Sequence, residues 1–198
     1  MNRGLLMTLA VIVGIVVIFL LIFGGIYNSL VRAEEQVSEA WSQVENVYQR
    51  RLDLIPNLVE TVKGYAAHER ETLEQVVEAR SKITQTNLPS AVFNNPSALT
   101  QFEQAQQGLS SALSRLLVVV EQYPDLKANQ NFLSLQAQLE GTENRIAVER
   151  RRFNEVARDF NARIRSFPQN LAAGWMGLQR KSYFAADEGA RVVPKVKF

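Results

Sequence analysis

The chain has no cysteine in 198 residues, a single histidine, six prolines and ten glycines. The missing cysteine excludes disulfides and thiolate metal sites. His68, with Glu71 near by, falls short of the three or four converging ligands that a metal centre needs. Beside Lys63 and Arg70 it reads instead as part of a solvated face. The glycines are scattered and build no phosphate loop. No serine elbow precedes a helix, and carboxylate pairs such as Glu34 and Glu35 lie on an exposed-looking helical face without an apolar pocket. No catalytic residue, cofactor or metal is therefore expected. Scarce glycine and proline beside 46% hydrophobic residues describe a folded chain. Its length suits one membrane segment and one domain with a real core.

What the sequence does contain begins with an uncharged run from Gly4 to Ile26. As a helix this spans roughly 30–35 Å, enough for the hydrocarbon core. It is too long for the apolar region of a cleaved signal, and residues 31–33 make a poor, distant cleavage site. An uncleaved anchor over residues 1–27 is expected, with Tyr27 at headgroup level, where amphipathic rings settle. Arg3 and the terminal amine precede the run and only Arg32 closely follows it. Counting basic groups favours a cytoplasmic N-terminus and an extracytoplasmic body.

Beyond the anchor, apolar residues recur at alternating steps of three and four. One series is Val37, Val44, Leu58 and Tyr65; the other is Trp41, Tyr48, Ile55, Val62 and Val76. The spacing predicts one long helix to about Thr84 with a coiled-coil-like seam. Arg51 stands in that seam. Pro56 interrupts it, because its nitrogen has no hydrogen to give the carbonyl of Leu52. Residues 86–96 read as a loop, with Ser97 as N-cap of a second helix striped by Leu99, Phe102, Gln106, Leu109, Leu113, Leu116, Val120 and Tyr123. A third helix places Phe132, Leu139, Ile146, Phe153, Phe160 and Phe167 at steps of seven, the mark of lengthwise packing. Residues 170–185 suit a short amphipathic helix, and residues 192–198 alternate like a strand lying in a groove.

At 1.5 Å per residue the first helix measures roughly 85 Å and the second roughly 40 Å. The second, folding back, reaches only to about Leu58. The seam below needs a cover from residues 170–185, from a four-helix arrangement kinked at Pro56, or from other copies of the chain. An exposed row of Val37, Trp41, Val44 and Tyr48 would be a costly apolar patch, so these four are the expected self-association surface.

Polar residues lie on or beside the seams: Arg51, Asp53, Asn57, Glu143, Asn144, Arg150, Asn154 and Asn161. A buried network fixing helix register is the expected role; a site for a partner or ligand is the alternative. Trp175, Met176 and Leu178, flanked by Arg180 and Lys181, suit either a membrane-interface foot or packing over the lower seam. Residues 27–144 carry 9 basic and 15 acidic side chains, and residues 145–198 carry 12 and 5. An acidic first half packed against a basic last helix is the expected reading, and a membrane-surface patch the alternative. Aromatics and basics do not interleave as in a nucleic-acid groove, so no nucleic-acid partner is expected.

The stretches YNSLVRAEEQVSEAWSQVENVYQRRLDLIPNLVETVKGYAAHE and EQYPDLKANQNFLSLQAQLEGTENRIAVERRRFNEVARDFNARIRSFP, behind an N-terminal span, closely resemble the LemA family. Residues 194–198 also look like the family's usual ending. Where such chains often carry a Phe-Gly-Phe-type patch, this one has Trp175, Met176, Gly177 and Leu178. The resemblance implies a helical bundle on one anchor in a bacterial inner membrane, no established enzymatic activity, and association with membrane organisation or with membrane zinc metallopeptidases. The expected fold is thus all-α: one N-terminal transmembrane helix, then an antiparallel bundle of three long helices plus a short C-terminal helix over residues 28–198. The expected function is a scaffold or adaptor, held in the bilayer by residues 4–26, assembling with itself and with a membrane protease or envelope protein. The alternative is a membrane-shaping protein.

Overall fold

A computed structural model describes residues 3–85 and 92–185, and no strand occurs among them. The first helix, α1, runs unbroken from Arg3 to Lys63. Residues 4–26 make it apolar enough to cross a membrane: the most apolar window has a mean hydropathy of 3.2, and none of it is buried. The seam beyond it is buried, from Leu30 to Val62.

The helix does not continue to Thr84. It stops at Lys63, before Gly64, a weak helix former whose entropic cost favours an end there. The turn is held across the tip. Tyr123 donates its hydroxyl to Glu69 at 2.9 Å, and Asn129 donates to the Tyr65 hydroxyl at 2.8 Å. The second helix, α2 (Arg70–Gln85), then returns alongside α1. Pro56 therefore sits inside a continuous helix. The carbonyl of Leu52 that it orphans accepts instead from Arg80 Nε of α2, at 3.1 Å.

A 3₁₀ turn at Val92–Asn94 leads into α3, Pro96–Val120. The N-cap is Asn95, not Ser97: its side chain accepts from the amides of Ser97 and Ala98, and Pro96 takes the first turn. A short α4 (Pro124–Lys127) replaces the expected turn, and α5 spans Gln130–Arg163. Arg163 of α5 lies beside Ser29, and the helix's N-cap Asn129 beside Tyr65, so α5 covers α1 from the end of the apolar run to the tip. Five of the six heptad residues are buried, but Phe167 is 80% exposed. The helix has ended at Arg163 and the phase no longer applies. The last helix, α6, is only Gln169–Trp175, not a helix to residue 185. It ends in a Schellman turn, with Gly177 at φ +67° and Leu178 N–H bonded to the Ala173 carbonyl. The chain then extends through residues 178–185. The strand-like ending at 192–198 and the loop at 86–91 lie outside the described residues.

Two apolar clusters fill the interior. One centres on Trp41 toward the apolar run, the other on Ile55, Leu58 and Leu109 toward the tip. Between them lies a polar layer. Arg51, 2% exposed, donates to Ser110 at 2.6 Å and pairs with Glu143 at 2.9 Å.

Candidate functional site

Val37, Trp41, Val44 and Tyr48 are all buried within the single chain. Their expected availability to a second copy is therefore corrected. Because α1 ends at Lys63 and not near Thr84, α5 reaches down it as far as Ser29, and residues 92–102 and 184 close over the rest. Trp41 meets Phe93, Phe102, Phe153 and Phe184 at ring distances of 5.4–5.7 Å.

The polar residues divide into separate groups. Asp53 and Asn57 are exposed and belong to none; Asp53 only accepts from Gln49 on its own helix. The steps of three and four place both on the outer face of α1, which the seam assignment overlooked. Asn144 is exposed too. Glu143 joins Arg51 in the polar layer, where burial pulls the Arg51 guanidinium below its ordinary value while Glu143 and Tyr48 oppose the shift.

Arg150, Asn154 and Asn161 serve a different purpose: they hold the extended strap 181–185. The side-chain amide of Asn161 accepts from Lys181 N–H at 2.8 Å and donates to its carbonyl at 2.9 Å. Asn154 does the same for Phe184, at 2.9 and 3.1 Å. Arg150 donates to the Ala185 carbonyl, and Glu103 of α3 accepts from the Ala185 amide, each at 3.1 Å. Lys181, 4% exposed, donates to Glu34 at 2.8 Å and Asn94 at 2.9 Å, and lies over the Phe160 and Phe93 rings. Sequence reading missed Lys181 as an anchor, because a lysine beside Arg180 reads as a solvated basic pair. Beyond Ala185 an open cleft of about 1260 Å³ continues between α3 and α5.

At the membrane end, Trp175 is 75% exposed and meets Phe23 edge-on at 6.0 Å. Phe23 lies inside the uncharged run, so α6 stands beside the last turns of that run. Phe167 and Leu171, at steps of four before Trp175, are also exposed. Tyr27 is partly exposed on α1. Met176 and Leu178 instead pack against the Trp41 cluster, which corrects their placement with the interface residues: the Schellman turn reverses the chain after Trp175 and points them inward. Phe167 was missed because the heptad assigned it to the core, and Leu171 because the amphipathic pattern of residues 170–185 does not say which face is covered.

Among the described residues no three His, Asp or Glu side chains are grouped as a metal site. A family-level match to the LemA family covers residues 40–198. The chain is 27% identical to Protein LemA of Metamycoplasma hominis, over 88% of this chain and 76% of that one. It is 28% identical to Magnetosome protein MamQ of Magnetospirillum gryphiswaldense, and 29% identical to Magnetosome protein MamQ 2 of Paramagnetospirillum magneticum. In both cases the match takes in 80% of this chain but only 64% of the relative.

Proposed function

The chain belongs to the LemA family, and from that premise we propose that it is a non-catalytic scaffold fixed to a bacterial inner membrane. The observation that carries this reading is the apolar foot of Phe167, Leu171 and Trp175, standing against Phe23 at the end of the apolar run. An interfacial foot beside a span fixes the height and rotation of a body above the bilayer. Arg32, Arg163, Arg165 and Arg180 add cations suited to anionic headgroups. The N-terminus is cytoplasmic and the bundle extracytoplasmic, an antiparallel stack whose outer faces engage a membrane protease or envelope protein and further copies of the chain. Self-association in this reading uses outer faces, since the Val37–Tyr48 row is enclosed.

Brominated lipid tests the foot. Trp175 fluorescence should be quenched in the full-length protein, with Trp41→Phe used to remove the second indole; unquenched emission would refute the foot. Crosslinking in native membranes followed by mass spectrometry identifies the partners, and recovery of no other protein and no second copy would refute the scaffold reading. The second reading, lateral assembly that shapes a membrane, is favoured by the relatives named as magnetosome proteins. Altered liposome shape under electron microscopy would select it.

A further inference from the structure

The base of the body carries cations without anions of its own. Residues 4–33 supply the apolar run and the turns just past it, and residues 160–185 the end of α5, α6 and the strap. Together they hold Arg32, Arg163, Arg165, Arg180 and Lys181 and no acidic residue. Lys181 is already engaged, because it donates to Glu34. The nearest acid on α5, Asp159, stands one turn toward the tip and accepts from Arg158.

Two of the remaining arginines converge. Arg163 extends Nη1 to the Ser29 hydroxyl at 3.5 Å. Arg32 turns back along α1, toward the apolar run, and donates Nε to the Asn28 carbonyl at 3.2 Å. Their acceptors are adjacent residues, so both guanidinium groups lie over a single turn of α1. Both arginines are exposed and Ser29 is half-buried. Among the described residues neither arginine pairs with a carboxylate, and these bonds leave most of the five N–H donors of each fork unused. Like charges held over one turn repel until an anion joins them. Ser29 is three residues past Ile26, about 4.5 Å along the helix. In a bilayer that ends with the apolar run, the headgroup layer covers roughly the next 5–8 Å. The turn therefore sits at phosphate level.

We propose that Arg32, Arg163 and the Ser29 hydroxyl form a discrete site for the phosphodiester of one anionic phospholipid, the two forks binding its non-bridging oxygens. The inference rests on the membrane placement proposed above and adds a chemical preference to it. Phosphate oxygens match the paired donors of a guanidinium group. The base has no carboxylate to receive the ammonium of a zwitterionic headgroup. Lipids whose phosphate has no accompanying cation are favoured for that reason, and phosphatidylglycerol has this chemistry.

Thermal melts of the full-length protein in mild detergent, titrated with phosphatidylglycerol or phosphatidylcholine, test the site. A ligand that binds only the folded state raises the melting temperature as it fills its site. The same rise should need at least about tenfold less phosphatidylglycerol than phosphatidylcholine. Arg32→Gln and Arg163→Gln should each remove most of that preference, and Ser29→Ala a smaller part. Arg145→Gln, the same charge change further up α5, should leave it intact. Equal response to the two lipids, or a preference that survives both arginine changes together, overturns the proposal. So does a loss in Arg165→Gln as large as in Arg163→Gln, since a diffuse cationic surface would then suffice. Glycerol 3-phosphate in lipid-free micelles is the arm for a soluble anion, and equal stabilisation at the same concentration overturns the assignment to lipid. Trp175 quenching by brominated phosphatidylcholine, measured in the same variants, keeps the two readings apart. Quenching without a phosphatidylglycerol preference refutes the lipid site alone, whereas absent quenching refutes the foot.

Discussion

Arg80→Met tests whether the returning helix repairs the proline in α1. The substitution keeps the aliphatic stem and removes only the guanidinium that bonds the Leu52 carbonyl at 3.1 Å. Arg80 is half-buried, so water replaces that donor incompletely. Losing a charged donor to a poorly solvated carbonyl costs about 1.5 kcal/mol, equivalent to about 3–6 °C in melting temperature for a domain of this size. The control is the same change in a Pro56→Ala background, where the introduced alanine supplies the missing N–H within α1. There the cost of Arg80→Met should fall below about 0.5 kcal/mol, a coupling that a double-mutant cycle resolves. Pro56→Ala alone should stabilise the protein. Chemical denaturation of the four proteins provides the measurement. An equal cost of Arg80→Met in both backgrounds would refute the reasoning, because Arg80 would then act through something other than the orphaned carbonyl.

In the polar layer, Arg51→Leu should be nearly neutral in thermal melts, whereas Arg51→Ala should cost about 2 kcal/mol or more through the cavity it leaves; an unchanged melt for Arg51→Ala would place that residue outside the core. Burial raises the Tyr48 phenol above its ordinary 10.0, with Arg150 and Arg51 pulling it down less strongly. The folded state thus keeps a proton that the unfolded chain releases, and stability present below about pH 10 is lost as pH rises past it. Tyr48→Phe should flatten the loss measured between about pH 9 and 11; an identical slope in the two proteins would contradict the assignment.

Much of the architecture was legible because burial follows period. The seam Val37 to Val62 and the heptad Phe132 to Phe160 both face inward, and an apolar stripe leaves a helix few other choices. What periodicity missed were endings. The first helix stops at Lys63, before Gly64, a weak cue inside an otherwise helical pattern; Phe167 kept the heptad's phase after the helix had gone. Both errors propagated, the first into the length argument and the expected self-association surface, the second into the composition of the foot. The polar residues were recognised as a set but not by task. Asn154 and Asn161 bind backbone amides more than a dozen residues away, and such a partner leaves no side-chain pattern to read. Lys181 was illegible for the same reason, since its burial depends on Glu34 and Asn94 from distant parts of the chain.

The first helix runs without a break from its apolar stretch to its far end. From Tyr27 to Lys63 a straight helix reaches about 54 Å. A span that leans about 10° further to match a thinner bilayer carries that far end sideways by about 9 Å. With α5 and α6 packed on α1 near its base, the whole body leans with it. In the membrane-anchored reading proposed above, the body is thereby a rigid pointer, and the thickness of the surrounding lipid sets where its tip stands.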